Sequence, residues 1–377
     1  MKSKLIIFLV VTVFSVFCFS STRYIVYAED SIAKGMCVIE CNSGRVIYEK
    51  NKDMKLAMAS TTKIVTAITV LDNYTGDLDD KITIPDEAVG IEGTSMYLRK
   101  SERLSVRELL YGLMLPSGND SATALAILTA GDEKSFCALM RETAEKCGAL
   151  NTSFANAHGL DAEGHYTTAY DLALITAYAL NNQEFLDISM TKNKVIDATE
   201  QTDTRYLRNK NRLLLSMNNC IGVKTGFTDN AGRCFVSATE KEDGTRMVCV
   251  LLNCQPMFEE ATRLLNLANQ EYSLQEILEG SRYITSLPVT NGTKNFTRIY
   301  VVNGFSYPLT EYEKANLKIE YEYPKMLKAP VEKNQIVGNV KIFIKEDLIF
   351  SSEICTIDSV EELNVQGALD DILDKWM

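Results

Sequence analysis

The period of the apolar residues changes once along this chain of 377 residues, near Gly280, and that change divides what it can build. Before it, helical spacing dominates. The ladder Ile64, Ile68, Leu71 puts a helix over 57–74 that begins around Ser60. Ser105 with Glu108 is a capping-box pattern opening a helix to Leu115, which Pro116 ends. Two more helical patterns cover 122–129 and 171–181, with the polar loop Ser117-Gly118-Asn119-Asp120 before the first of them. Strand-like runs lie between: two within 37–49, joined by the turn Asn42-Ser43-Gly44, and the apolar run 247–252. After Gly280 the period becomes two. Leu317 to Tyr323 alternates strictly, Val340 to Ile344 nearly so, and Lys345-Glu346-Asp347 reads as a hairpin loop. The pattern predicts a mixed α/β (α+β) domain over 29–282 and a small all-β domain over 283–358.

Both ends have a character of their own. Lys2 and Lys4 precede the apolar run 5–14, and Val26-Tyr27-Ala28 supplies small or modest residues before Glu29. A basic start, an apolar core and such a site form a secretory signal peptide, cleaved after Ala28; a retained membrane anchor is the other reading. The expected place of work is therefore the extracytoplasmic cell envelope. Removal of 1–28 takes away Lys2, Lys4 and Arg23 and no acid, from a chain whose formal net charge is already −11. Residues 359–377 place Leu369, Ile372, Leu373 and Trp376 on one face of an amphipathic helix. Glu361, Glu362, Asp370, Asp371 and Asp374 against Lys375 alone suit a protein surface at least as well as a peripheral membrane contact.

Composition removes several chemistries. The acidic balance argues against nucleic acid, which needs a basic face. Two histidines, His158 and His165, leave little for a His-rich metal site, and no CxxC, HExxH or glycine-rich phosphate loop occurs. No metal and no organic cofactor is expected. One of ten cysteines lies in the leader and the rest are odd in number and scattered, which reads as buried thiols rather than disulfide staples.

Three short motifs remain: Ser60-Thr61-Thr62-Lys63, Ser117-Gly118-Asn119 and Lys224-Thr225-Gly226. Each alone is weak, since S-x-x-K recurs at Ser31/Lys34 and Ser189/Lys192 and S-x-N at Ser216/Asn218. Their order and context carry more. Ser60 opens a helix, so the Lys63 amine three residues on lies on its face. A lysine whose pKa falls through burial and a nearby cation, with Lys224 the obvious second one, can take the serine proton. The positive helix end at Ser60 favours a developing alkoxide.

These motifs and their surroundings resemble the penicillin-recognising serine D-Ala-D-Ala carboxypeptidases, the low-molecular-mass penicillin-binding proteins of the peptidase S11 family. The resemblance extends through 57–63, 93–98, 109–120, 157–161 and 169–172, and into the β domain at 327–330 and 337–338. It implies a penicillin-binding/β-lactamase-like transpeptidase domain, a five-stranded antiparallel sheet beside a helical region, with the site at their junction. It further implies that Ser60 is acylated and Lys63 activates it, while Ser117 and Asn119 move a proton and hold the substrate amide. Lys224 would tune the field, Thr225 within the Lys224-Thr225-Gly226 strand would bind the terminal carboxylate, and the N–H groups of Ser60 and Phe227 would form the oxyanion hole. His158 matches a family histidine near the site, with a structural loop role as its alternative; His165 is expected to be exposed. The partners implied are peptidoglycan stem peptides ending in D-Ala-D-Ala and β-lactam antibiotics.

One position departs from the pattern. Many members carry an arginine for the substrate carboxylate where this chain has Met257, before Phe258, and Arg233 or another basic residue would have to compensate. A methionine cannot pair with a carboxylate, so a non-catalytic or weakly active wall-binding scaffold is the alternative function. A β-lactamase reading lacks the E-x-x-L-N pattern between Asn119 and Lys224 and does not account for the second domain.

Overall fold

The computed structural model describes residues 31–364 and Leu369. The signal peptide expected over 1–28 lies outside them, as does most of the C-terminal helix expected over 359–377.

Five strands form one antiparallel sheet: β1 (Gly35–Glu40), β2 (Val46–Lys50), β3 (Cys220–Thr228), β4 (Gly232–Glu240) and β5 (Arg246–Leu252). Their order is β2-β1-β5-β4-β3, which leaves β3 as an edge. One face packs on helices α1 (Thr62–Asn73), α2 (Val106–Met114), α3 (Asn119–Ala130), α4 (Glu133–Lys146), α5 (Ala169–Ala179) and α6 (Gln183–Met190). The other is covered by α7 (Met257–Glu271), whose Ala261, Leu264, Leu265 and Ala268 meet Phe235, Cys249 and Leu251. Alternation along β3 and β4 decides which residue sees which side. Lys224 and Gly226 pair with Val236 and Cys234 of the helical core, whereas Thr225 and Phe227 pair with Phe235 and Arg233 toward α7.

Local chemistry explains the helix starts. Ser105 and Glu108 form the reciprocal capping box at α2. Thr168 caps α5 by accepting from the Asp171 N–H, and Asp132 caps α4 through the Ser135 N–H, a helix not anticipated from periodicity. Helix α3 begins earlier than its apolar pattern: Asn119 and Asp120 already belong to it. Asp120 sits in its first turn, where a carboxylate is favoured, and accepts from the N–H groups of Met96 and Leu98. Loop and helix are thereby tied to segment 95–98.

The C-terminal part is built on strands, with one short helix over Glu311–Ala315: β6 (Ser273–Leu278), β7 (Tyr283–Thr290), β8 (Phe296–Val301), β9 (Phe305–Leu309), β10 (Leu317–Glu322), β11 (Leu327–Lys328), β12 (Ile336–Ile344) and β13 (Asp347–Thr356). Six of these form a sheet in the order β10-β12-β13-β8-β7-β11, while β6 pairs with β9. The strand β6 lacks clean alternation and lies before the start at 283 to which periodicity points. At the other end the expected helix does not begin at 359. Val360 pairs with Val331 and Glu362 with Gly292, so the chain stays extended there and buries Val360 instead of exposing a helical face. Tyr321 also departs from the pattern: despite its alternating position it is 40% exposed.

The two parts are joined by Arg45, from the turn between β1 and β2. Its guanidinium pairs with Glu313, donates to the Pro308 carbonyl and lies over the rings of Tyr272 and Tyr307. The cysteines at 37, 41, 137, 147, 220, 234, 249, 254 and 355 are free thiols, all buried but the half-buried Cys147. Among the described residues no helix is long and apolar enough to cross a membrane, and no three His, Cys, Asp or Glu side chains cluster as a metal site.

Candidate active site

Ser60 lies in a short 3-10 turn, Ala59–Thr61, that runs into α1. Ala59 holds φ at 48°, a left-handed conformation that costs a non-glycine residue about 1–2 kcal/mol. The turn is held by its neighbours. The Thr62 hydroxyl donates to the Ala59 carbonyl at 2.8 Å and meets His165 Nε2 at 2.9 Å, while His165 Nδ1 accepts from the Ala155 N–H at 3.1 Å. With Nδ1 accepting, the neutral imidazole carries its proton on Nε2 and donates it to Thr62. Burial pushes the His165 pKa down to about 4, with Lys63 also lowering it and Asp161 opposing. His165 is therefore a buried brace behind the nucleophile turn and not the exposed side chain expected from the sequence.

Lys63 is fully buried. Its Nζ lies 3.0 Å from Ser60 Oγ, 2.7 Å from Asn119 Oδ1 and 2.6 Å from the His158 carbonyl oxygen. Two of these partners accept only. A neutral amine has two N–H bonds and one lone pair, so it can donate to both and accept from the Ser60 O–H. The surroundings favour that state. Burial, then the positive charges of Lys224 and Lys210, hold the Lys63 amine well below the usual lysine range, against the pull of Asp120.

Asn119, at the start of α3, is fixed from both ends of its amide, since its Nδ2 donates to the Glu92 carbonyl at 2.6 Å. Gly93, at φ 91°, makes room for that nitrogen: a Cβ there would lie 2.7 Å from it. Ser117 takes φ 71°, and its buried hydroxyl has no hydrogen-bond partner among the described residues. A buried hydroxyl without a partner calls for a reason, and an incoming polar group at this loop would supply it.

On the opposite wall, Lys224 is buried and donates to the Thr225 carbonyl at 3.0 Å. Burial and then Lys210 push its pKa down to about 7. The backbone of β3 presses against the nucleophile turn at Gly226, where a Cβ would lie 3.0 Å from the amide nitrogens of both Ser60 and Thr61. Thr225 is half-buried, and Phe227 stands 57% exposed at the mouth. His158, expected near the site or in a structural loop role, meets Lys63 through its backbone. Its carbonyl accepts from Lys63, while the ring turns toward Leu160, whose N–H it accepts at 3.2 Å, and toward Glu133. Burial, with Lys63 and His165, pushes that ring down to about 4.

Lys63 therefore joins Ser60 and Asn119, Lys224 adds its charge against the same amine, and Gly226 brings β3 onto the Ser60 turn; Ser117 lies two residues before Asn119, and Thr225 and Phe227 belong to the α7 side of β3. Sequence reasoning missed three contributors. Lys210 is a third cation acting on both buried lysines. Asn156 accepts from the N–H groups of His158 and Gly159 and shapes the loop that presents the His158 carbonyl. Gly159, at φ 90°, lets that loop lie on the nucleophile turn, since a Cβ there would reach 2.0 Å from the Ala59 carbonyl oxygen. Their signals, Asn209-Lys210-Asn211 and Asn156 to Gly159, look like ordinary turns in one dimension.

Comparison with known proteins places this arrangement. The profile of the D-alanyl-D-alanine carboxypeptidase family, peptidase S11, matches residues 23–256, and that of the C-terminal domain of penicillin-binding protein 5 matches 272–362. The chain belongs to the peptidase S11 family of serine D-alanyl-D-alanine carboxypeptidases. It is 28% identical to the D-alanyl-D-alanine carboxypeptidase DacF of Bacillus subtilis, over 91% of this chain and 90% of that one. It is 31% identical to DacC of Escherichia coli, over 88% and 84% respectively. Penicillin binding protein 5 from Haemophilus influenzae superposes with a TM-score of 0.77 at 26% identity, covering 88% of this chain and 98% of that structure.

Proposed function

We propose that this protein removes the terminal D-alanine from peptidoglycan stem peptides through an acyl-enzyme on Ser60, and that β-lactams acylate the same serine. The observation that carries the reading is the Lys63 amine, dry, surrounded by like charge, and in contact with the Ser60 hydroxyl at 3.0 Å. Lys63 takes the Ser60 proton as Oγ attacks the carbonyl of the penultimate D-Ala. The N–H groups of Ser60 and Phe227 receive the oxyanion; Gly226 supports this by letting β3 lie against the Ser60 turn. Ser117, with its unpartnered hydroxyl, passes a proton to the departing amine, and Asn119 holds the substrate amide while fixing Lys63. Lys224 and Thr225 face the terminal carboxylate. The proton that Lys63 took from Ser60 refills the Ser117 hydroxyl; neutral again, Lys63 takes a proton from the water that attacks the ester and returns it to Ser60 Oγ, so the cycle closes on a neutral base.

The basic and apolar start of the chain supports work outside the cytoplasm, where such peptides lie. The test is release of free D-Ala from an N-acylated peptide ending in D-Ala-D-Ala. The chain is expected to release it and Ser60→Ala is expected to release none; no release by the unaltered chain would favour the scaffold reading, to which the buried Met257 points.

A further inference from the structure

A peptide cut next to its free carboxyl end brings one negative charge to the Thr225 side of β3, and Met257, in the cluster with Phe235 on that side, carries no charge to meet it. Met257 is 7% exposed and packs in the core under α7 together with Phe235. Phe235 is the cross-strand partner of Thr225, so methionine and threonine belong to the same side of the sheet. Two guanidinium groups lie over the aromatic rings nearest Thr225 on this side. Arg233 is the cross-strand partner of Phe227 and the diagonal neighbour of Thr225, a separation of roughly 7–8 Å that a long side chain spans. It is exposed, its Cζ lies 5.5 Å from the centre of the exposed Phe227 ring, and among the described residues no carboxylate pairs with it. Arg212 lies 5.6 Å over the Phe258 ring, which meets Phe235 edge-on at 5.0 Å; two aromatic rings thus separate it from the Thr225 position.

We propose that Arg233, held over Phe227, binds the terminal carboxylate of the peptide in the corner where Met257 offers no charge. The inference rests on the carboxypeptidase reading above. It makes Arg233 a specificity-determining residue: its bidentate fork would select a free carboxylate over an uncharged end. The adjoining ring restricts where the guanidinium can lie.

The experiment measures kcat/KM of the purified chain on an N-acylated D-Ala-D-Ala peptide and on the same peptide with a C-terminal carboxamide. The unaltered chain prefers the free acid. Arg233→Ala lowers kcat/KM for the acid about 10- to 100-fold, the range of a lost charge-assisted hydrogen bond, and leaves the carboxamide rate unchanged, so the preference collapses. Arg233→Lys keeps part of it. Met257→Arg added to Arg233→Ala restores it, and Arg212→Ala does not alter it. Arg233→Ala with the full preference, or loss of preference in Arg212→Ala instead, overturns the proposal. Equal use of both peptides by the unaltered chain overturns it too, while leaving the carboxypeptidase reading intact. A chain that cleaves neither peptide and takes up no penicillin on Ser60 fails at the earlier step, and this inference falls with it.

Discussion

The two sides of strand β3 solve the same problem in opposite ways. On the side facing the helices, Lys224 and Gly226 look onto a dry space. There Lys63 has three hydrogen-bond partners, and its charge is opposed by two further lysines. On the side facing α7, Thr225 and Phe227 look onto a half-open corner with an exposed ring and a guanidinium that no carboxylate pairs with among the described residues. The first side makes a base, which depends on small distances in a low-dielectric setting, so each group is locked by another. The second recognises a charge at the end of a flexible ligand, which an arginine arriving from any neighbouring element can do. Met257 thus lies on the recognition side and leaves the hydrogen bonds of Lys63 untouched.

The comparison breaks first at Lys63. Replacing it with Ala removes the base and the side chain that joins Ser60, Asn119 and the His158 carbonyl, and acylation by a penicillin is expected to slow about 10²- to 10⁴-fold in stopped-flow or mass measurements. Retention of the original rate would mean that another group takes the proton.

Gly159→Ala comes next. The new methyl would meet the Ala59 carbonyl 2.0 Å away from a backbone already at positive φ, so the nucleophile turn or the 156–159 loop must shift. A lower melting temperature together with slower acylation is expected. Gly164→Ala also replaces a positive-φ glycine, at φ 76° with open space around it, and is expected to share only the backbone cost, without the acylation defect.

The smallest effect sharpens the electrostatic half of the comparison. Lys63 works as a base only when neutral, and the Lys210 charge disfavours its protonated form. Lys210→Gln removes that repulsion and raises the Lys63 pKa, so the acid limb of the acylation rate is expected to move to higher pH, and Lys210→Arg to move it back. An acid limb that stays in place would show that burial and Lys224 alone keep Lys63 neutral.

Much of this site could be read in the sequence because its parts are local. Ser60 and Lys63 share a helix face by spacing alone, the Ser117 loop is marked by Pro116 and Gly118, and Lys224 sits in a strand run ended by a turn. Period-two alternation likewise identified the second domain, and the sheet beside the helices followed from family resemblance. What escaped was three-dimensional. His165 looked exposed because its partners, Thr62 and Ala155, are remote from it in sequence. His158 drew notice for its ring although its carbonyl makes the contact with Lys63. Lys210 carries no periodic or motif signal, and it matters through distance to two lysines brought near by folding. The strand β6 and the extended end at Val360 were missed for the same reason: their pairing partners, β9 and Val331, are set by tertiary structure and not by local period.

Whether the dry side of β3 makes an activated serine is tested most directly by intact-mass spectrometry of the chain over time with benzylpenicillin, beside Ser60→Ala. The account predicts a gain of one antibiotic mass in the unaltered chain and none in Ser60→Ala. A chain that gains no mass at any time, or a Ser60→Ala variant that gains it as fast, would contradict it.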